Sequence, residues 1–253
     1  ILRLPDAPRH ADGTLTCALG DGGEEVLRLT PAALASLRRR AGAAIALVPP
    51  QRLSWHRVQL PPNTLHKSIL RRRIDRPRLR LVLQGMLEEQ LLGDAQRLHQ
   101  ALEPGARAGV AVWVCACDAL WLRAALDLLE RAGIRPKRIV PEFAPPSAGT
   151  PPSWTFLSDT QHTWAVHTAA DGVTAWPLPG QPDAASLAHI GLAPGDLQLA
   201  AEPALVPHLQ ALLGGRVQAQ PCAQRLHAAA HSGWNLAQFD FAPRSRSVRV
   251  AQH

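Results

Sequence analysis

Residues 108–140 constrain the fold more than any other stretch of the chain. The run "AGVAVWVCAC" is apolar and strand-forming, Asp118 follows where a helix N-cap belongs, and Leu122, Ala125, Leu126 and Leu129 then recur at helical spacing. Gly133 terminates that helix and "IRPKRIV" supplies a second apolar run. A strand, helix and strand of this length are expected to lay two parallel strands side by side through a right-handed crossover. The chain is therefore read as mixed α/β.

The flanking segments agree with that class. Residues 14–18 and 25–29 read as strands joined by a turn at "GDGG", where glycine supplies the positive φ of a tight hairpin. "TPAALASLRRRAG" is a helix with Thr30 as cap, Pro31 in its first turn and Arg38–Arg40 at the end that favours cations. "AIALV" and "LSWHRVQL" read as strands, with Pro61 and Pro62 stopping the second. Asn63 is expected to cap a short basic helix reaching about Ile74, broken at Arg76-Pro77. A stronger helix, Arg78–Leu92, follows, with Leu79, Val82, Leu83, Met86 and Leu87 on one face. "PEFAPPSAGTPP" at Pro141–Pro152 is the sharpest break in composition and the expected hinge. Beyond it "WTFL", "HTWAVHT" and "GVTAWPL" read as a three-stranded meander. Short helices near 183–190, 203–213 and 222–231 then alternate with strands at 197–200 and 216–220. No internal repeat is legible. Two or three small lobes are expected.

Charge and motif content exclude several functions. The 253 residues carry a net charge of +7, nearly all of it arginine, since Lys67 and Lys137 are the only lysines. Neither lysine follows a glycine, so no phosphate-cradling P-loop is present, and there is no Gly-x-Ser-x-Gly elbow or His-Glu-x-x-His helix. Cys115 and Cys117 lie two apart in a strand, hence on one face; with Cys17 and Cys222 they read as reduced, buried hydrophobes rather than disulfides or zinc ligands. No catalytic residue, metal site or cofactor is assigned. Arg71–Arg73, Arg76, Arg78 and Arg80 would suit a nucleic-acid surface, but no tryptophan alternates with them as a stacking platform, and no nucleic acid is expected as a partner. No apolar stretch reaches the length of a membrane-spanning helix. The chain starts at Ile1 with no signal segment and is read as an excised fragment.

Four blocks carry a family resemblance: "LVPPQRLSWHRVQLPP" (47–62), "MLEEQLLGDAQRLHQAL" (86–102), "GVAVWVCACDALWLRAALDLLERAGIRPKRIVPE" (109–142) and "WNLAQFDFAP" (234–243). In this order and spacing the chain resembles the cytoplasmic part of the type II secretion system L protein family. The resemblance implies an actin-like, RNase H-related fold, split here into a first part (1–44), a middle α/β domain (45–145) and a C-terminal actin-like domain (146–253). It further implies a non-enzymatic scaffold facing the cytoplasm, attached to a single-pass inner-membrane helix. Family members recruit the secretion ATPase, the E protein, and bind the M protein of the same platform. A homodimer of the intact protein is an open alternative.

Within that frame the expected ATPase-facing surface is Arg71, Arg72, Arg73 and Arg76 beside Glu88, Glu89 and Asp94, a mixed-charge patch suited to a steered contact. Trp234, Arg244, Arg246 and Arg249 are expected to lie near the membrane, where anionic lipid attracts basic residues. An active actin-like ATPase is the competing reading. Such enzymes hold phosphate between two glycine-bearing hairpins. The counterparts here, Asp12-Gly13-Thr14 and Ser158–Trp164 with Gln161 at the glycine position, both depart from that pattern, so no nucleotide binding is expected.

Overall fold

Two five-stranded sheets with the same strand order organise the chain. In a computed structural model the described residues are 1–6, 8, 14–18, 24–28, 31–40, 44–62, 64–65, 76–88, 90–91, 94–158, 162–192, 198–214 and 217–242. The first half holds β1 (Leu2–Arg3), β2 (Thr14–Ala18), β3 (Glu24–Arg28), α1 (Pro31–Arg40), β4 (Ile45–Val48), β5 (Ser54–Gln59), α2 (Arg76–Glu88), β6 (Leu98–Leu102), β7 (Ala111–Asp118), α3 (Ala119–Arg131) and β8 (Arg138–Pro141). The second holds β9 (Ser153–Ser158), β10 (Thr163–Ala169), β11 (Gly172–Leu178), α4 (Ala184–His189), β12 (Gln198–Ala201), α5 (Val206–Leu213), β13 (Val217–Ala219) and α6 (Cys222–Ala230).

The first sheet runs β3-β2-β1-β4-β8 and the second β11-β10-β9-β12-β13. In each, the first three strands form an antiparallel meander, and the last two are added parallel to the first strand. That is the RNase H-like unit, and its occurrence twice is the actin-like arrangement. The repeat is topological: identical order is reached by unlike sequences, which is why no repeat is visible in the residues.

The third sheet, β5-β7-β6, is antiparallel and lies in the connection between β4 and β8. Its position corrects the expected strand–helix–strand unit. β7 is paired on both edges, by β5 and β6, so β8 has no place beside it and joins β4 instead, Ile45 opposite Arg138. α3 still does what its sequence dictates. Asp118 accepts a hydrogen bond from the Trp121 N–H at 2.8 Å, and Leu122, Ala125 and Leu129 are buried against Leu2, Leu4, Ala46 and Ile139 of the first sheet. Gly133, at φ +75°, ends the helix and lets Ile134 N–H reach back to the Leu129 carbonyl. α2 begins at Arg76, two residues before the expected start, with Pro77 in the first turn where its missing N–H leaves no bond unmade. β1 and β6 are short strands the sequence reading missed, and the expected helix from Asn63 to Ile74 lies outside the described residues apart from Thr64 and Leu65.

α6 packs on the opposite face of the first sheet, with Cys222, Ala223, Leu226 and Ala229 against Ala18, Leu47 and Val140. A second core fills the second sheet around Phe156, Leu187 and Leu209, and a third joins α2 to the inserted sheet through Val58, Leu79, Leu83, Leu87 and Val114. All four cysteines are buried and none is in a disulfide, and Cys115 and Cys117 share one core cluster as their spacing predicts. Among the described residues no helix is long and apolar enough to cross a membrane.

Candidate functional site

In open α/β sheets ligands bind beyond the carboxyl ends of the parallel strands. Here those ends converge on a cluster of charges. Arg3 is the last residue of β1, Glu142 follows β8, Ser158 is the last residue of β9 and Glu202 follows β12. Arg225, from α6, bridges the halves: its Nε meets Glu142 Oε1 at 2.7 Å and its Nη2 meets Glu202 Oε1 at 2.8 Å. The other oxygen of Glu142 receives Arg3 Nε at 2.7 Å, and the other oxygen of Glu202 accepts from Ser158 N–H and Oγ–H at 3.0 and 2.7 Å. Glu142 has a fully buried side chain and Arg225 is 5% exposed.

The electrostatics follow from this packing. Burial alone would raise the Glu142 pKa, but Arg3 and Arg225 outweigh it and hold the carboxyl below its ordinary range. Burial likewise works against the charge on Arg225, and Glu142 with Glu202 overrides it, so the guanidinium stays protonated. Two carboxylates and two guanidiniums cancel. With both Glu142 oxygens engaged, neither is free to take a proton from a nucleophile, and a phosphate placed here would meet two carboxylates in a site of no net charge. Of the two stretches compared with phosphate-binding hairpins, Asp12-Gly13-Thr14 leads into β2 and Ser158–Trp164 joins β9 to β10; Asp12, Gly13 and Gln161 lie outside the described residues. Among the described residues no cluster of three or more His, Cys, Asp or Glu could hold a metal ion.

None of these four charged residues was picked out by motif. The signal present in the residues is that two strands each end in a glutamate, "RIVPE" and "LAAE". Only the sheet pairing brings those ends together.

The block "WNLAQF" forms a strap along the edges of two sheets. Leu236 N–H donates to the Ile139 carbonyl at 2.6 Å and Ile139 N–H donates to Asn235 Oδ1 at 3.2 Å, so the strap covers the outer edge of β8. Gln238 does the same for β6, donating to the Leu102 carbonyl and accepting from the Leu102 N–H. Arg138 donates to the carbonyls of Ala230, Ser232 and Trp234. His99, buried, bonds the Leu236 carbonyl at 2.6 Å; burial pushes its pKa down to about 4 against the opposing pull of that bond. Trp234 is 7% exposed and stands edge-on to Trp55, ring centroids 4.9 Å apart.

Of the expected charged surface, Glu88 ends α2 exposed, and Asp94 is exposed while capping a single turn through the Gln96 N–H. Arg71–Arg73, Glu89, Arg244, Arg246 and Arg249 lie outside the described residues, and Arg76 is placed only as the first residue of α2.

Residues 24–244 match the family model described as Type II secretion system (T2SS), protein L. No curated protein sequence matches. Among solved structures the chain is similar to the cytoplasmic domain of EpsL, an inner membrane component of the type II secretion system of Vibrio cholerae, with TM-score 0.61 and 20% identity over 95% of this chain and 98% of that one. More distant are the PilM-PilN type IV pilus biogenesis complex (TM-score 0.47, 15% identity, 87% of each chain) and a Bacteroides thetaiotaomicron protein with an actin-like ATPase fold (TM-score 0.37, 8% identity, 87% of this chain and 89% of that one).

Proposed function

The chain belongs to the protein L family of the type II secretion system, and on that premise we propose that it is a non-enzymatic scaffold. In this reading it recruits the secretion ATPase to the inner-membrane platform and binds the M protein there. The inserted unit, β5 to α3, presents the ATPase-facing surface with Arg71–Arg73, Arg76, Glu88, Glu89 and Asp94. Arg244, Arg246 and Arg249 lie toward anionic lipid, and the described part faces the cytoplasm. The fold retains the two-lobed frame of nucleotide-binding proteins while its cleft does another job.

One observation carries the non-enzymatic part: Arg3, Glu142, Arg225 and Glu202 meet at the strand ends in an ion cluster of no net charge, with both oxygens of each carboxylate engaged. Opening that cluster for a phosphate would leave buried charges unpaired, at a cost of several kcal/mol.

Two measurements test the proposal. Calorimetric titration with Mg-ATP is expected to give no binding; a micromolar dissociation constant would sink the scaffold-only reading. Pull-down of the cognate secretion ATPase by this chain is expected to succeed and to weaken with Glu88→Arg or Arg72→Glu. Failure of the unmodified chain to retain the ATPase would remove the recruiting role.

A further inference from the structure

α6 follows the second sheet in the chain but packs on the first, against Ala18, Leu47 and Val140. The chain therefore crosses between the two lobes twice, at 142–152 and at Gln220-Pro221. Along the seam four buried polar atoms have no hydrogen-bond partner among the described residues: Gln51 Oε1, Trp55 Nε1, Gln220 Oε1 and Arg225 Nη1. Gln51 belongs to the turn Pro50–Arg52 that packs on β11, Trp55 lies against Leu157, Val166 and Val173 of the second sheet, and Gln220 is at the second crossing. Such atoms give up water on closure and gain no bond in return. Parting the lobes would hydrate all four, so closure has to be held.

What holds it runs through α6. Arg138, Val140 and Glu142 fall at i, i+2 and i+4, on one face of the β8 segment. Glu142 takes Arg225 Nε near the start of the helix, Val140 packs on its apolar side, and Arg138 donates to the carbonyls of Ala230, Ser232 and Trp234 at its end. The helix is thus stapled along its length to one strand. Arg225 Nη2 then reaches across the seam to Glu202 at 2.8 Å.

The same strand end holds the strap. Arg138 grips the first strap carbonyl, Trp234, while Ile139 exchanges bonds with Asn235 and Leu236 on the open edge of β8. Strap, helix end and seam contact are consecutive parts of one stretch, 222–238, fixed to one strand. A displacement of the strap moves the carbonyls that Arg138 shares with α6, and with them the helix that carries Arg225.

We propose that α6 is a lever: with the strap seated it holds the two lobes closed through Arg225 and Glu202, and lifting the strap lets the lobes part about the two crossings. The test is the lobe-to-lobe distance by pulsed electron paramagnetic resonance. Nitroxide labels go on Ala35→Cys of α1 and Ala211→Cys of α5, both exposed, while the four native cysteines are buried. This labelled chain is expected to give one narrow distance. Asn235→Ala combined with Gln238→Ala removes the strap's side-chain bonds to Ile139 and Leu102, and Glu202→Ala removes the contact across the seam. Each is expected to raise the open-to-closed ratio about tenfold, and both should populate the same longer distance. A single unchanged distance in the strap variant overturns the lever, whether or not Glu202→Ala opens. Hydrogen exchange of the unmodified chain, read by NMR, reports the same coupling should a variant fail to fold. Ile139 N–H, bonded to Asn235, and Ser158 N–H, bonded to Glu202, are expected to show opening constants within about threefold of each other, and about tenfold or more above those inside the β9–β10 pairing. A Ser158 opening constant about tenfold or more below that of Ile139 would show that the strap lifts while the lobes stay shut, and would overturn the proposal.

Discussion

At the scale of single residues, Glu142 and His99 show burial acting in opposite chemical directions. Glu142 stays charged in the interior because two guanidiniums reach it. Its folded pKa lies below the ordinary 4.5, so the stability it contributes is present above that pH and lost as pH falls through the lower folded value. Glu142→Gln is expected to cost about 3–5 kcal/mol at pH 7, because Arg3 and Arg225 lose a buried counter-charge. The difference from wild type should shrink below pH 4.5, measured by urea unfolding at pH 7, 4 and 3. A constant difference across that range would show that the charge is not what matters. His99 is neutral in the fold, with its pKa lowered from 6.5 to about 4. Its contribution is therefore complete above pH 6.5 and falls away as pH drops toward 4. Between pH 6.5 and 5 wild type should lose about 2 kcal/mol through this group, and His99→Gln, which keeps an N–H for the Leu236 carbonyl, should lose none of it. Equal slopes in the two proteins would refute the assignment. Both residues lie inside blocks that carry the family resemblance, but neither is marked there as a charge or hydrogen-bond partner. Glu142 follows an apolar strand and His99 interrupts one, and nothing local says which charges or carbonyls will face them.

Single elements were far more legible. α3 follows from its cap, its apolar spacing and its terminating glycine, all read within thirty residues. The β9–β10–β11 meander was equally plain, because alternating apolar residues and the Asp171-Gly172 turn specify hairpins locally. That turn has a second role the sequence does not state. Gly172 sits at φ +130°, and a Cβ there would come within 3.4 Å of the Trp113 ring and 3.5 Å of Trp55. The hairpin of the second sheet is thus laid against the inserted sheet. Gly172→Ala is expected to destabilise by about 1–3 kcal/mol, read as a lowered urea midpoint, through backbone strain and crowding of the tryptophans. An unchanged midpoint would mean the hairpin is free to move away. β6 escaped notice for the opposite reason: "LHQAL" is short and half polar, and it becomes a strand because β7 offers an open edge and the Gln238 side chain covers the other.

For the whole molecule, the question is what makes two RNase H-like units behave as one body. The ion cluster spans them, since Glu142 follows the first sheet and Glu202 the second, with Arg225 between. The strap from Trp234 to Gln238 ties β8 of the first sheet to β6 of the inserted one. The scaffold role proposed above would require such joints to be stiff. Wild type is expected to melt in one calorimetric transition. Arg225→Leu should leave Glu202 without its buried cation and broaden or split that transition, with the second sheet separating from the rest. A single sharp transition, merely shifted to lower temperature, would show that hydrophobic packing alone couples the halves.

Local patterning was enough to establish the α/β class, most helices and hairpins, the reduced cysteines and the family, because caps, turns and periodicity act over a few residues and are written in contiguous sequence. Which strand pairs with which was settled only in three dimensions. β7 and β8 are near neighbours in the chain, yet the first turned inward between two antiparallel partners and the second returned to β4, since an edge already occupied cannot accept another strand. The same long-range pairing, joining residues up to 139 apart such as Arg3 and Glu142, assembled the charges of the cleft from three strand ends and a helix. Such contacts depend on the complete set of competing edges, and no window of sequence contains that set.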